Sequence, residues 1–192
     1  MLKLGCVVMA AGNARRFGDN KLAARLEGRS LIRRTLEAVP PETFDTVAVV
    51  TQYEEILKLA GEFGFTPVRN VHPDFGLSRT IALGLTALGD CDGAMFLVSD
   101  QPLLRRESVA ALAALWRRHP DRLAALGHGG VRGNPCIFPS RLFPELMALT
   151  GDHGGASVIR RHEEELMLLE VPSRELADAD TPEGLAEIGT WE

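Results

Sequence analysis

Along the chain, short runs of consecutive apolar residues alternate with longer segments in which apolar residues return every three or four positions, the pattern of a parallel sheet with crossover helices. The first run, Leu4 to Met9, predicts a buried strand. A polar, glycine-bearing loop follows from Ala10 to Gly28. A helix is expected from about Ser30, with Ile32, Thr35, Leu36 and Val39 on one face and Pro40-Pro41 as its stop. Thr46 to Val50 reads as a second strand, after which Ile56, Leu59, Ala60 and Phe63 mark a helix that Gly64 ends. Thr66 to Val71 predicts a shorter third strand, and Asp74 to Ser78 turns into a helix carrying Ile81, Gly84, Leu85 and Leu88 inward. Gly93 to Val98 is the plainest strand. The helix after it has Ser108 as its expected cap and Val109, Leu112, Ala113 and Trp116 as its apolar stripe.

Beyond about residue 122 the rhythm changes. The glycine-rich stretch from Gly127 to Pro135 separates two strand-like runs, which predicts a hairpin or an antiparallel edge. Helices over 141–148 and 156–162, a strand over 167–171 and a last helix capped by Thr181, with Pro182 at its first position, complete the expectation. No internal repeat, low-complexity tract or linker interrupts the pattern. The expectation is one α/β domain over 1–192 with an irregular C-terminal third.

Composition narrows this picture. A length of 192 residues, 45% hydrophobic and 24% charged, is that of an ordinary globular domain able to bury its own core. The net charge of −5 argues against a nucleic-acid strand as partner, because that demands a broad positive surface. Cys6, Cys91 and Cys136 are odd in number and far apart, which predicts neither a disulfide framework nor a zinc site and suits a reducing compartment. The opening apolar stretch is too short to span a bilayer and carries no signal-peptidase pattern, so the expected location is the cytoplasm, with no membrane partner.

In open parallel sheets ligands bind beyond the carboxyl ends of the strands, and the polar features of this sequence collect there. The loop after the first strand, Ala10-Ala11-Gly12-Asn13-Ala14-Arg15-Arg16-Phe17-Gly18-Asp19-Asn20-Lys21, offers small residues for close backbone approach to an anion. Arg15, Arg16 and Lys21 add donors suited to phosphate oxygens. The loop is neither a P-loop nor a dinucleotide fingerprint, since Gly12 and Gly18 are too far apart and Ala14 stands where a second glycine would be needed. Its length, above the usual ~2 to 6 residues for a strand-to-helix connection, favours function over a merely solvated loop.

Asp100, at the end of the plainest strand and before Pro102, is placed to hold a hard cation such as Mg²⁺, or else to cap the next turn. Asp180, one residue removed from Asp178, reads as a second carboxylate on the same metal or as a turn former. Gly133-Asn134-Pro135 and Gly151-Asp152-His153-Gly154-Gly155 read as tight turns or as places where a flat ligand meets backbone, the turn being the simpler reading. His72, His119, His128 and His162 are expected on the surface or in loops, His153 is set apart from them, and no histidine pair has metal-ligand spacing. Ser157 and Ser173 lack the context of a nucleophile.

Taken together, Met9-Ala10-Ala11-Gly12, Arg16-Phe17-Gly18 and Lys21 resemble the signature loop of the nucleotidyltransferases that attach a nucleoside monophosphate to molybdopterin. Within that family the chain is most similar to the molybdenum cofactor cytidylyltransferases. Phe75-Gly76-Leu77-Ser78, Asp100-Gln101-Pro102, Gly133-Asn134-Pro135, Leu149 to Gly154 and Asp178-Ala179-Asp180-Thr181-Pro182 extend the likeness along the chain. The resemblance implies a three-layer Rossmann-like fold of the glycosyltransferase A type, a mostly parallel sheet with helices on both faces. It divides the domain into a nucleotide-binding part over about 1–120 and an acceptor-binding part over about 121–192. It further implies CTP as substrate, a molybdopterin-type acceptor, Mg²⁺ as cofactor and pyrophosphate as product. Carried over residue by residue, Arg16 and Lys21 would hold the triphosphate, and Asp100 and Asp180 the metal. Ala10, Ala11, Gly12, Asn13 and Ser78 would bind the nucleotide, and Gly133, Asn134, Pro135 and Asp152 would face the pterin.

A phosphate monoester is already anionic at pH 7, so such a reaction needs no general base, which accounts for a site without a catalytic His or Ser. It needs in-line positioning and cancellation of charge. Relatives that use GTP tend to open this loop with Gly-Gly, whereas Ala11 precedes Gly12 here, and the extra methyl favours a pyrimidine by ~1 to 3 kcal/mol. Two departures from the family pattern are Arg79-Thr80 after Ser78, in place of a serine-rich stretch, and Ser99 before Asp100, in place of glycine. Two other readings fit the same motifs: a guanylyl- or sugar-phosphate nucleotidyltransferase, and a carrier that delivers finished cofactor to a molybdenum hydroxylase without turnover.

Overall fold

The computed structural model describes residues 2–12 and 21–191. Along them the elements are β1 (Leu4–Ala10), β2 (Arg25–Leu26), β3 (Arg29–Ser30), α1 (Leu31–Glu37), β4 (Thr46–Thr51), α2 (Glu54–Glu62), β5 (Thr66–Arg69), α3 (Leu77–Leu88), β6 (Gly93–Val98), α4 (Arg106–Arg118), β7 (Leu123–His128), β8 (Val131–Pro139), α5 (Phe143–Met147), α6 (Ala156–Arg161), β9 (Leu166–Glu170) and α7 (Pro182–Ile188). Among the described residues seven strands form one sheet in the order β5-β4-β1-β6-β8-β7-β9. β8 runs antiparallel to both its neighbours, while the other pairings are parallel.

The strands lie in the middle layer because they are apolar on both faces. In β1, Leu4, Cys6, Val8 and Ala10 face a core built with Ile32 and Leu36 of α1, Ile56 and Ala60 of α2, and Val109, Leu112, Ala113 and Trp116 of α4. Val7, Ala48, Val50, Ala94 and Phe96 face the opposite core, with Ile81, Leu85 and Leu88 of α3, Leu146 of α5 and Val158 and Ile159 of α6. The helix stripes anticipated from the sequence for α3 and α4 are buried, with Gly84 seated on β1. The three-layer arrangement is therefore dictated by two-sided strands and one-sided helices.

Three local expectations are corrected. The expected hairpin is present as β7 and β8, but its antiparallel strand β8 is internal rather than an edge, with β7 and then β9 beyond it. The hairpin turn is confined to Gly129 and Gly130, at φ 57° and 77°, so Gly133-Asn134-Pro135 is part of the strand and not a turn. The helix α4 is capped at Arg105 rather than at Ser108, and the buried Glu175 accepts a hydrogen bond from the Arg105 N–H at 3.4 Å.

Within the long first loop lies a ribbon of β2 and β3, turned by Glu27 and Gly28 at φ 50° and 80°. Strands of two residues have no periodicity to read. Leu26 of this ribbon, Leu31, Ala179, and Leu185 and Ile188 of α7 form a third apolar cluster. Thr181 caps α7 as expected, its Oγ1 accepting from the Gly184 N–H at 3.0 Å. This cluster brings the segment before α7 back to the loop that follows β1.

Candidate active site

Strand register decides which loops meet. Met9 pairs with Val98 and Ala10 with Thr51, so Ala11-Gly12, Gln52-Tyr53 and Ser99-Asp100 emerge at one edge of the sheet. They are tied together there: the Ser99 hydroxyl donates to the Met9 carbonyl at 2.8 Å, and Gln52 Nε2 donates to the Ala11 carbonyl at 3.0 Å. The Tyr53 hydroxyl reaches the Gly12 carbonyl at 3.5 Å. Ala10 is fully buried and Ala11 is 4% exposed, so neither methyl lies open at this edge. Any influence of the Ala11 methyl on base choice thus acts through the path of the backbone.

The charged centre is built from three distant parts of the chain. Lys21, in a short 3₁₀ turn anchored by the buried Leu22, places its Nζ 3.1 Å from Asp100 Oδ2 and 3.0 Å from Asp180 Oδ1. The side chains of Lys21 and Asp100 are 12% and 28% exposed, and that of Asp180 is 62% exposed, so the group opens outward on the Asp180 side. Asp100 Oδ1 is buried and has no hydrogen-bond partner among the described residues. An unpaired buried carboxylate oxygen costs free energy unless another group meets it. Beside it, partial desolvation together with the carboxylates of Asp100 and Asp180 raises the Asp178 pKa above the ordinary range, although Gln101 donates to it.

The direction of α3 delivers a second group. A Cβ on Gly84 would lie 2.4 Å from Val7 Cγ1, and one on Gly5 would lie 2.5 Å from Leu88 Cδ1. α3 therefore descends as β1 rises, and its first residues, including Ser78, stand level with the carboxyl end of β1. The buried Asn70 organises this turn: its Nδ2 donates to Thr80 Oγ1 at 3.3 Å, and its Oδ1 accepts from the His72 N–H at 3.1 Å and from Arg79 Nε at 3.2 Å. Arg79 also lies over the Phe75 ring at 5.5 Å, so the departure at Arg79-Thr80 has a structural role.

The residues expected to face an acceptor fall on the same side. The Ser78 N–H donates to the Gly151 carbonyl at 3.1 Å. Gly76, at φ 85°, approaches so closely that a Cβ there would sit 2.7 Å from the Asp152 nitrogen. Asp152 thus adjoins Ser78. Phe96 pairs with Cys136 in antiparallel register, so Pro135, Asn134 and Gly133 run on toward the carboxyl end of β6, where Gly133 packs against Leu176.

The structure brings together Ala10, Ala11, Gly12, Lys21, Asp100 and Asp180, with Ser78 and Asp152 on one side and Gly133 to Pro135 on the other. Asn13, Arg15 and Arg16 lie outside the described residues. Among the described residues His153 makes a local contact, its Nδ1 lying 2.9 Å from the Thr150 carbonyl, and it joins the other loop histidines. Gln52, Tyr53, Asn70 and Gln101 were not singled out from the sequence. Position was the available signal for Gln52, Tyr53 and Gln101, each within three residues of a strand's carboxyl end. The three cysteines are free, and burial pushes the Cys6 and Cys136 thiols up, which keeps them protonated.

Chemically, two carboxylates converge on one cation position beneath a loop of small residues. Asp100 and Asp180 fit a hard divalent ion, since one carboxylate oxygen is unmatched and an ammonium already lies between the two groups. Among the described residues no group of three or more His, Cys, Asp or Glu side chains is placed to hold a metal ion. Phosphate oxygens and water would therefore have to complete the coordination.

Comparison with known proteins gives the same direction. The family model for the MobA-like NTP transferase domain matches residues 6–166. The chain is 29% identical over 191 residues to the purine catabolism protein PucB of Bacillus subtilis (strain 168), covering 92% of this chain and 91% of that protein. It is 31% identical over 140 residues to a molybdenum cofactor guanylyltransferase of Shewanella sp. (strain MR-4), covering 71% of this chain and 68% of the relative. A nucleotidyl transferase from Methanothermobacter thermautotroptrophicus (Mth528) has a TM-score of 0.80 at 21% identity, covering 97% of this chain and 95% of that one.

Proposed function

The chain belongs to the MobA-like NTP transferase family and is a nucleotidyltransferase, and from that premise we propose that it transfers CMP from CTP to the terminal phosphate of molybdopterin or of the molybdenum-loaded cofactor. A phosphate oxygen of the acceptor attacks the α-phosphorus of CTP, the bond to the β-phosphate oxygen breaks, and pyrophosphate leaves. No proton need be removed from the nucleophile.

The observation that carries this reading is the pair of carboxylates, Asp100 and Asp180, held 3.1 and 3.0 Å from one Lys21 ammonium at the carboxyl edge of the sheet. In the proposal Asp100 and Asp180 hold Mg²⁺, which supplies charge cancellation on the polyphosphate when bound. Lys21, with Arg16 from the preceding loop, binds and orients the triphosphate. The main chain of Ala10, Ala11 and Gly12, with Asn13 and Ser78, borders the nucleoside. Gly133, Asn134, Pro135 and Asp152 line the acceptor side, so the part over about 1–120 serves the nucleotide and that over 121–192 the pterin.

CTP is favoured by Ala11-Gly12 in place of the Gly-Gly of GTP-using relatives, and GTP by the guanylyltransferase relative. A relative spanning nearly the whole chain is named for purine catabolism, which accords with a molybdenum hydroxylase of the xanthine dehydrogenase class as recipient of the product. No described helix is long and apolar enough to cross a membrane. We place the reaction in the cytoplasm.

The test supplies Mg²⁺, molybdenum-loaded pterin and either CTP or GTP, and measures pyrophosphate. Release with CTP at more than about tenfold the rate with GTP is expected, in keeping with a discrimination of ~1 to 3 kcal/mol. Turnover with GTP alone would overturn the choice of nucleotide. Tight pterin binding without pyrophosphate from either would favour a carrier.

A further inference from the structure

Asp180 lies in the stretch between the 3₁₀ turn Ser173–Leu176 and α7, so neither helix nor strand fixes its carboxylate opposite Asp100. What fixes it is on the neighbouring residue. Gln101 is 3% exposed, and its Nε2 donates to the Leu176 carbonyl at 3.2 Å and to Asp178 Oδ1 at 3.1 Å. Both Nε2 protons are thereby committed to the segment that carries Asp180. Its Oε1 has no partner among the described residues, and among them these two bonds set the plane of the amide. The Ala179 N–H closes the link by donating to the Asp100 carbonyl at 2.8 Å.

From this geometry we infer that Gln101 is a positioning residue for the metal pair: it clasps the segment 176–180 to the end of β6 and so sets the separation of Asp100 and Asp180. The inference rests on the assignment of those two aspartates as metal ligands made above. Two bonds from one amide fix both distance and direction, whereas the main-chain bond at Ala179 alone leaves rotation about it. Gln101 acts through its bonds to Asp178 and Leu176. Outer residues of this kind commonly change metal affinity by ~10 to 100-fold when replaced.

Asp178 is exposed, which allows the clasp to be opened from outside without disturbing the core. Mn²⁺ binding to the full chain is read by the free-ion electron paramagnetic resonance signal, and the Mg²⁺ dependence of turnover is read in parallel. Gln101→Met and Asp178→Ala are expected to weaken Mn²⁺ binding by about tenfold and to raise the KM for Mg²⁺ more than they lower kcat at saturating Mg²⁺. Asp178→Asn, which keeps the Oδ1 acceptor and removes the charge, is expected to stay within about twofold of the parent.

Parent-like Mn²⁺ affinity in both Gln101→Met and Asp178→Ala would overturn the inference. Equal losses in Asp178→Asn and Asp178→Ala would also overturn it, by making Asp178 a ligand in its own right. Should Gln101→Met fail to fold, the two Asp178 variants decide the matter alone. The Mn²⁺ signal needs neither pterin nor the correct nucleotide, so a wrong nucleotide assignment leaves this result standing. Mn²⁺ that binds the parent as well as Asp100→Ala would instead show that the metal site itself is misassigned.

Discussion

At the scale of single residues, function rests on a few side chains whose surroundings are unusual for their type. Asp100 is a part-buried carboxylate with one oxygen on Lys21 and the other without a partner among the described residues. A residue kept for stability would have both oxygens matched. Asp100→Ala is accordingly expected to lower pyrophosphate release by about a hundredfold or more, the loss typical of a deleted charge-stabilising group. Its Tm should stay within ~4 °C of the parent, which corresponds to about 1 kcal/mol in a chain of this size. Unfolding of the variant, seen by circular dichroism, would show Asp100 to be structural.

Asp100 and Lys21, which the structure brings within 3.1 Å of each other, stand out in the sequence because each has a positional signature, the end of an apolar run and the end of a cationic loop. Gln101 does not. Its importance comes from Leu176 and Asp178, partners more than seventy residues away, and no local pattern records a contact that only the folded chain creates.

At the scale of elements, the site depends on how closely α3 lies on β1, since that packing brings Ser78 to the level of Ala11. Gly84 permits it. A methyl there would stand 2.4 Å from Val7 Cγ1 on a fully buried side chain, too close for either to yield cheaply. Gly84→Ala gains about 1 kcal/mol of helix propensity but incurs ~1 to 3 kcal/mol of overpacking. With Val7 enclosed on both sides the second effect should dominate, lowering Tm by several degrees. Gly61, in α2, has nothing within 4 Å of the corresponding position. Gly61→Ala is therefore expected to raise Tm by roughly 2 to 4 °C. Thermal unfolding of the two variants side by side checks the contrast, and shifts of the same sign would contradict it.

Elements with strong periodicity were read nearly in place: β6 coincides with the predicted run from Gly93 to Val98, and the stripe of Val109, Leu112, Ala113 and Trp116 is buried as expected. The weaker reading fell on β7 and β8. Glycines at 127, 129, 130 and 133 suggested turns throughout, but only Gly129 and Gly130 make one. Gly133 sits within β8, where a side chain would press on Leu176, and that requirement is tertiary.

At the scale of the whole molecule, a sheet edge serves as the meeting place for segments that are far apart in sequence. The loop after β1, the end of β6 and the approach to α7 converge there, and the cluster of Leu26, Leu31, Ala179, Leu185 and Ile188 holds the last of these against the first. The net charge of −5 conceals this arrangement, because acids that would repel a polyanion are gathered where a cation can screen them.

On the proposed function, Asp100 and Asp180 exchange the Lys21 ammonium for a divalent ion when nucleotide binds. Crystals grown with CTP and Mn²⁺ test it through the anomalous difference density of the metal. A single Mn²⁺ peak bound by carboxylate oxygens of both Asp100 and Asp180, with the Lys21 ammonium moved onto phosphate oxygens, is the predicted result. Nucleotide bound with Lys21 still bridging the two aspartates and Mn²⁺ elsewhere would contradict it.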